Sequence, residues 1–274
     1  GWLRRPLHTM NRRIALPLAL AAILAAAGCA SPAPIDPNST QAVEKLYAEG
    51  KEELASGGYD RAAKIFERVE GRAAGTLLAQ QAALDLAYAQ YKGGERATAL
   101  ATLDRFIRLQ PSSPALDYAY YLRGVVNFND NLGVLSTLSR QDLSERDQQA
   151  SRESYQSFKQ LVDQFPQSRY APDARARMDY IVNSLAEYEL HVARYYFRRG
   201  AYVAAANRAQ QAVIDFPQTP GNEEALFIMT ASYERLGLEQ LRADTQRVLE
   251  KNFPDSRYLR EGVRQARKAW WQFW

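Results

Sequence analysis

The chain has 274 residues, of which 46% are hydrophobic and 24% are charged, a composition typical of a folded protein and not of a disordered one. Its formal net charge is +4, but residues 1–28 carry four arginines and no acidic residue, so the remainder is close to neutral. Nucleic-acid binding requires clustered Lys and Arg, and outside the C-terminal tail the sequence has no such cluster. We therefore expect no nucleic-acid partner.

Residues 1–28 have the organisation of a secretory signal peptide. Residues 1–9 precede Met10, the expected start, and are left out of the fold prediction. Two arginines lie close after Met10, and the 15 residues from Ile14 to Gly28 are almost wholly apolar. Because crossing a bilayer takes about 20 such residues, a cleaved signal fits this segment better than a transmembrane helix.

Cys29, the only cysteine of the chain, directly follows the small residues that end this segment. Its position resembles that of the acylated cysteine of bacterial lipoproteins, although Ala26 stands where their pattern usually has Leu. We predict that Cys29 carries an S-diacylglycerol and an N-acyl chain such as palmitate, and that there is no other cofactor. In the enteric lipoprotein pattern, an Asp directly after the acylated cysteine favours retention in the inner membrane. This chain has Ala30 at that position, so the predicted location is the periplasmic face of the outer membrane. An ordinary signal peptide with an incidental cysteine is the alternative.

Residues 29–40 are rich in proline and small polar residues, which predicts a semi-extended linker. Beyond residue 40, Ala, Leu, Arg, Glu and Gln dominate. Apolar residues recur there at three- and four-residue steps, so the predicted class is all-α.

A repeated pattern sets the predicted architecture. Gly57, Gly94 and Gly200 are each followed five residues later by a small residue, and prolines recur in phase. This is the tetratricopeptide pattern, in which glycine turns the chain between two helices, the small residue allows their close approach, and proline ends the second helix. We predict a solenoid of about five helix-turn-helix repeats. The phased prolines are Pro111, Pro166, Pro217 and Pro254.

Two units depart from this pattern. The first has Ala74 where its closing proline would stand, and the third is lengthened between Gly124 and Ser154. The extra residues are of loop type and are expected at the surface beside a groove. The predicted organisation is N-terminal repeats at 41–125, an insertion loop at 126–148, C-terminal repeats at 149–256 and a basic, aromatic tail at 257–274.

Four local phrases of the sequence go beyond a generic repeat and lie at 106–111, 117–124, 165–170 and 192–203. With the predicted anchor and repeats, they resemble the BamD family, the lipoprotein subunits of the β-barrel assembly machinery of the Gram-negative outer membrane. The resemblance covers nearly all of residues 29–274. It implies a non-enzymatic scaffold that binds the barrel-forming subunit through that subunit's periplasmic domains, accessory lipoproteins and unfolded outer-membrane proteins, and supports their folding and insertion.

The resemblance also implies partner contact in the C-terminal repeats and a groove for client peptides near the N-terminus. For partner contact Arg199 is the first choice, ahead of Tyr202 and Arg208. Arg199 would also suit a helix C-terminus without any partner, and Tyr202 would also fit a packing position. For the groove, the tyrosines have burial in the repeat core as their alternative. The groove candidates are Tyr88, Tyr91, Tyr118, Tyr121 and Arg123.

We predict no catalytic residue and no metal site. The two histidines, His8 and His191, are far apart in sequence, and Cys29 is expected to be acylated, so no metal-ligand cluster or nucleophile–histidine pair can be assembled. Two other functions stay open: a repeat lipoprotein that organises cell-wall enzymes, and a hydrolase built on a helical solenoid.

The tail at 257–274 joins five basic residues to three tryptophans and a phenylalanine. This composition suits a membrane surface or a partner groove. The alternative is that its aromatic rings pack back on the last repeat.

Overall fold

The computed structural model describes residues 36–128 and 145–260, and within these ranges it contains ten long helices and no strand. They form five successive helix pairs, each packed against the next, which confirms the all-α repeat prediction. Among the described helices, none combines the length and apolar character that crossing a membrane requires. The signal segment and Cys29 lie outside the described residues. The helices are α1 (Thr40–Ala55), α2 (Tyr59–Arg72), α3 (Leu77–Lys92), α4 (Arg96–Leu109), α5 (Leu116–Asn127), α6 (Glu145–Gln164), α7 (Ala171–Arg198), α8 (Tyr202–Asp215), α9 (Asn222–Leu236) and α10 (Glu239–Asn252).

The turn inside four of the repeats depends on a glycine with a positive φ. These glycines have φ values from 70° to 87°, the left-handed region in which a side chain is strained. The amide after each glycine donates to the carbonyl oxygen five residues earlier at 2.8–3.0 Å, which closes the end of the first helix. The sequence pattern therefore has a direct backbone cause. The four glycines are Gly57, Gly94, Gly200 and Gly237.

The position five residues after the glycine lies where the two helices of a repeat touch. In three repeats it is a fully buried alanine, as predicted: Ala62, Ala99 and Ala205. In the third repeat the corresponding small residue is Ser154, whose Oγ donates to the carbonyl oxygen of Gly124 at 2.7 Å. The fifth repeat departs from the pattern because Arg242 stands there and pairs with Glu239.

The turns that follow the four phased prolines share one backbone pattern. A hydroxyl residue two positions after the proline donates its amide to the carbonyl three residues earlier, and its own carbonyl accepts the amide three residues later, at 2.9–3.2 Å. The first repeat lacks the proline, and there Gly75, with φ 83°, makes the turn instead. Thr76 then caps α3 by accepting the amide of Ala79 at 3.2 Å. The four hydroxyl residues are Ser113, Ser168, Thr219 and Ser256.

Several predicted boundaries shift. The insertion predicted at 126–148 is helical at both ends, because α5 runs to Asn127 and α6 begins at Glu145. Packing extends α5: Asn127 is buried and accepts a hydrogen bond from Arg96 at 2.9 Å. The linker predicted to reach residue 40 ends one residue earlier, since Ser39 caps α1. Residues 257–260 of the predicted tail are helical, and the rest of the tail lies outside the described residues.

The core is a row of four apolar clusters, and α7 belongs to two of them. Its first half packs with α5 and α6 through Ala174, Ile181 and Leu185. Its second half packs with α8 and α9 through Leu190, Ala193 and Phe197. With 28 residues, α7 is nearly twice as long as the first helices of the other repeats, which have 12 to 16. One helix thus joins the two halves of the solenoid.

We predict opposite effects for two helical glycines. A Cβ at Gly124 would lie 2.5 Å from the ring of Phe158, which is fully buried. Gly124→Ala should therefore lower the free energy of unfolding by about 1–3 kcal/mol, despite the better helix propensity of alanine. A Cβ at Gly71, on α2, would meet nothing within 4 Å, so Gly71→Ala should be neutral or stabilise by up to about 1 kcal/mol. Urea unfolding followed by circular dichroism measures both, and equal losses would contradict the packing argument.

Candidate functional site

A strip of tyrosines and carboxylates crosses the first helices of four repeats, and it begins between α1 and α3. The Tyr47 hydroxyl donates to Asp85 Oδ2 at 2.6 Å, and Lys51 Nζ donates to Asp85 Oδ1 at 3.3 Å. Asp85 is only 7% exposed within the apolar middle of α3, so these two donors from α1 compensate a buried carboxylate. Burial raises the pKa of Tyr47, and the hydrogen bond to Asp85 raises it further, so the phenol stays protonated and can donate.

The strip continues over α5 and the start of α7. The rings of Tyr121 and Tyr170 stack with their centroids 4.8 Å apart, and the Tyr118 ring lies 5.4 Å from Tyr170. The Tyr121 hydroxyl and Arg177 Nε both donate to Asp173 Oδ2, at 2.8 Å and 2.7 Å. Burial alone would raise the pKa of Asp173, but these two donors lower it overall and hold the carboxylate ionised.

Tyr118 joins the two parts of this strip. Burial raises its pKa, and Asp85, Tyr170 and Tyr88 raise it further because they lie close by. Tyr88, Tyr91 and Tyr118 pack against the cluster formed by α3, α4 and α5 while each side chain stays partly exposed. The predicted tyrosines therefore contribute both to the core and to the surface.

Arg123 lies apart from the strip. Its Nε is 3.0 Å from Asp104 Oδ1 on α4, on the opposite side of α5 from Tyr121. All five predicted groove residues thus lie on the neighbouring first helices α3 and α5, but Arg123 forms a separate ion pair with Asp104.

Sequence reasoning missed several members of the strip. Tyr47, Asp85 and Asp173 carried no motif, although a lone carboxylate in the apolar run of α3 is a signal for a buried polar contact. Tyr170 stands in one of the four phrases that carried the family resemblance. Phe128, the last residue of the first described range, also lies beside the strip, because the Arg177 guanidinium is 4.6 Å from its ring centroid.

A second polar surface lies at the turn of the fourth repeat. Arg199 is exposed at the C-cap of α7, and its guanidinium is 5.5 Å from the ring centroid of Tyr195. The Tyr202 ring meets Phe197 edge-on at 5.3 Å, and its hydroxyl accepts from Arg235 Nη1, on α9, at 2.7 Å. Two arginines and two tyrosine rings therefore gather there, and we call this group the Arg199 surface.

Arg208 lies apart from the Arg199 surface. Its Nη1 donates to Glu189 Oε2 at 3.2 Å, and Glu189 is 8% exposed in the middle of α7. Glu189 precedes Arg199 by ten residues, which corresponds to about 15 Å along a helix. Arg208 therefore has an intramolecular partner, a buried carboxylate that would otherwise be uncompensated.

Arg194 connects α7 to α9 by hydrogen bonds next to the Arg199 surface. Its Nε and Nη2 donate to the two carboxylate oxygens of Glu224 at 2.7 Å and 2.6 Å, and its Nη1 donates to Glu187 at 2.7 Å. Burial opposes the charge of Arg194, but these hydrogen bonds raise its pKa overall. Such a bidentate pair has a fixed geometry, so it sets the position of α9 against α7. No sequence motif indicated it.

In the described part of the chain, no three His, Cys, Asp or Glu side chains come close enough together to hold a metal ion. Within the strip, and likewise within the Arg199 surface, the polar side chains form hydrogen bonds mainly with neighbours on the same surface. What they offer to a ligand is ring faces, carboxylates and guanidinium groups, which are suited to recognising a polypeptide.

Comparisons with known proteins agree with this architecture. A family model described as outer membrane lipoprotein (YfiO) matches residues 39–249. The outer membrane protein assembly factor BamD of Neisseria meningitidis serogroup B is 48% identical over 255 residues, which cover 92% of this chain and 96% of that protein. Proteins of the same name from Xylella fastidiosa and Vibrio cholerae are 35% and 33% identical, over 89% and 82% of this chain and 84% and 92% of their own.

Proposed function

The chain belongs to the family of outer membrane lipoproteins that includes the assembly factors BamD, and we propose that it is a non-enzymatic scaffold for outer-membrane protein assembly. In this proposal a lipid on Cys29 holds it at the periplasmic face of the outer membrane. Its C-terminal repeats bind the barrel-forming subunit, and its N-terminal repeats bind unfolded outer-membrane proteins. The observation that carries the proposal is that similarity to the assembly factors extends over both halves of the chain.

The tyrosine strip has suitable dimensions for an extended client peptide. The strip crosses four successive first helices, so it is elongated across the solenoid. An extended chain advances about 3.3 Å per residue and can follow such a surface over several residues. Half-exposed rings supply contact area at a low entropy cost, and the carboxylates accept amide donors. The strip therefore favours an extended polypeptide over a compact small molecule.

The Arg199 surface suits a folded partner. Arginine and tyrosine are the residue types enriched in the central parts of protein interfaces. Among the described residues, Arg199 has an aromatic neighbour but no ion pair, whereas Arg208 and Arg194 are each bound to carboxylates. Arg199 thus has its charge available for a carboxylate on the barrel-forming subunit.

We expect Arg199→Glu to weaken binding to the periplasmic domains of the barrel-forming subunit by about 10- to 100-fold, because it places a repelling charge in the interface. Affinity purification of the full chain, followed by titration calorimetry, measures the loss. Arg68→Glu, at an exposed position on α2, is the matched control and should bind like the wild type. Equal binding by both variants would reject the assignment of Arg199, and recovery of cell-wall enzymes without the barrel subunit would favour the alternative scaffold.

The proposed client groove predicts which positions of the chain crosslink to a client protein. A photoactivatable residue replacing Tyr88 or Tyr121 should capture an unfolded outer-membrane protein, because both rings are partly exposed on the strip. The same residue replacing Ile214, which is 64% exposed on α8, is the control and should capture none. Crosslinks of similar yield from all three positions would mean that clients have no preferred surface on this chain.

The anchor predicts that Cys29→Ala moves the protein from the membrane fraction to the soluble periplasm. Each buried methylene of an acyl chain contributes about 0.8 kcal/mol, so loss of the acyl chains removes most of the membrane affinity. Fractionation with incorporation of labelled palmitate measures this, and circular dichroism checks that the helical fold is kept. Absence of the palmitate label from the wild-type protein would reject the lipid anchor.

A further inference from the structure

We propose that the groove between the second helices α2 and α4 binds an arginine side chain of a partner polypeptide, at the end of the groove beside the C-terminus of α3. The tyrosine strip crosses the first helices, and the Arg199 surface lies at the turn of the fourth repeat, so this site is separate from both. The proposal is therefore independent of the partners named in the proposed function.

A cavity of about 300 Å³ opens at this end of the groove. Its walls are formed by α2, α4 and the last turn of α3. This volume is at the lower end of the range for ligand sites, so the cavity suits one side chain with its peptide group better than a large cofactor. The residues that line it include Tyr59, Asp60, Glu67, Gln90, Glu95 and Thr98.

The cavity carries more negative than positive charge. Asp60, Glu67 and Glu95 contribute three carboxylates, whereas Lys64 contributes one ammonium group. Within the described residues none of these four side chains forms an ion pair or a hydrogen bond. Asp60 and Glu95 also suit the N-terminal ends of α2 and α4, but Glu67 lies in the second half of α2, where the helix dipole does not favour an acid. The cavity therefore favours a cationic group.

A buried amide group is the second feature that points to a ligand. Gln90 is 7% exposed and lines the cavity, and its Oε1 accepts from Thr102 Oγ1 at 2.8 Å. Within the described residues its Nε2 donates no hydrogen bond, and unlike the unpaired Asn222 Oδ1 this atom is not fully enclosed by protein. A buried N–H without a partner costs free energy, and a peptide carbonyl in the cavity would be its acceptor. Gln90 therefore favours a polypeptide ligand over a free inorganic cation.

The chain's own Arg105 shows how a guanidinium group binds in this groove. Arg105 extends from α4 and forms a bidentate pair with Glu70 of α2, in which Nη1 donates to Oε1 and Nη2 donates to Oε2 at 3.1 Å. Glu67 precedes Glu70 by about one turn of α2, and Thr98 precedes Arg105 by about two turns of α4. Because Thr98 carries no charge, Glu67 has no arginine opposite it. An arginine from a partner would fill this end of the groove as Arg105 fills the other.

A guanidinium group suits these carboxylates better than a metal ion does. In the described part of the chain, no three His, Cys, Asp or Glu side chains converge closely enough to hold a metal ion. A guanidinium group presents five N–H donors in one plane, so it can bind separate carboxylates at the same time. The cavity therefore favours arginine over a divalent cation.

The equivalent groove between α8 and α10 lacks the three acids. The turn glycines of the first two repeats lie 143 residues before those of the last two, which aligns the two grooves position by position. At this offset Val203 corresponds to Asp60, Gln210 to Glu67 and Leu238 to Glu95. The fold thus accepts uncharged residues at these positions, so the acids between α2 and α4 are a property of this one groove and not of the solenoid.

Photocrosslinking of a synthetic peptide to the full chain in nonionic detergent tests this site. The probe is the acetylated and amidated pentapeptide Ala-Ala-Arg-photoleucine-Ala. Its control carries citrulline in place of arginine, which keeps the shape of the side chain and removes the charge. We expect mass spectrometry to locate the crosslinks of the arginine peptide on the groove residues of α2, α4 and the end of α3, at about fivefold higher yield than for the citrulline peptide.

Asp60→Asn and Glu67→Gln each remove one charge and keep the shape of the side chain, so each should lower the yield of the arginine peptide by about three- to tenfold. Glu44→Gln, at an exposed position of α1 outside the groove, is the matched control and should crosslink like the wild type. All three positions are exposed, and circular dichroism should show an unchanged helical fold.

Gln90→Met tests the amide contact, because methionine keeps the length of the side chain and removes the donor. It should lower the yield by about threefold, with thermal unfolding as the check on stability. The proposal is overturned if the citrulline peptide labels the groove as strongly as the arginine peptide, if Glu67→Gln and Glu44→Gln behave alike, if Gln90→Met crosslinks like the wild type, or if the crosslinks map to the tyrosine strip. The last outcome would mean that the peptide binds only the client groove.

Discussion

The arrangement of the solenoid depends on the continuity of α7. The helices α3 and α5 also contribute to two successive cores each, through residues on different faces, whereas α7 supplies its first half to one core and its second half to the next. Its only proline, Pro172, lies at the first turn, where a missing amide costs nothing, and no glycine interrupts it. A break between Leu185 and Leu190 would leave these two cores joined mainly through Phe216, at the C-cap of α8, which packs against the first of them. The position of one half of the solenoid relative to the other therefore depends on the geometry of this continuous helix more than on side-chain contacts between the halves.

Buried and half-buried charges fix how neighbouring helices pair. Asp85 is held by donors from α1, Glu224 by Arg194 of α7, and Glu189 by Arg208 of α8. Pairs of this kind add little net stability, because removing charges from water offsets most of their attraction. Removing one partner leaves the other charge uncompensated, so a shifted helix register would be strongly disfavoured. We infer that these pairs chiefly specify register in a solenoid whose contact positions are mostly alanine and leucine.

The sequence predicted the features that depend on residues close together in the chain. It did not predict the features that depend on packing between repeats. Gly57 and Ala62 act within one repeat, so their spacing predicted both the turn and the close approach of two helices. The extent of α5 depends on burial of Asn127 by a contact with Arg96, 31 residues away, and the sequence pattern ended it too early. Asp85 was missed for the same reason, since its partners lie on a different repeat.

Helical geometry alone would have separated two of the predicted site residues from the rest. Arg123 follows Tyr121 by two residues, which is a rotation of about 200° around a helix and places the two side chains on opposite sides. Tyr202 and Arg208 are six residues apart, about 240° by the same geometry, and only the first lies at the turn with Arg199. In both cases the phase of the helix decides which of the side chains chosen from the family resemblance can act together.

The continuity of α7 also sets the distance between the tyrosine strip and the Arg199 surface. The strip ends at Arg177, near the start of α7, and the surface begins at Arg199, at its C-cap. The 22 residues between them correspond to about 33 Å at 1.5 Å per residue. Arg194 and Glu224 join α9 to this same helix, so the strip and the surface share one continuous element. In the proposed function, a client on the strip and a partner on the Arg199 surface would therefore lie about 33 Å apart along one helix, an arrangement that suits a positioning role.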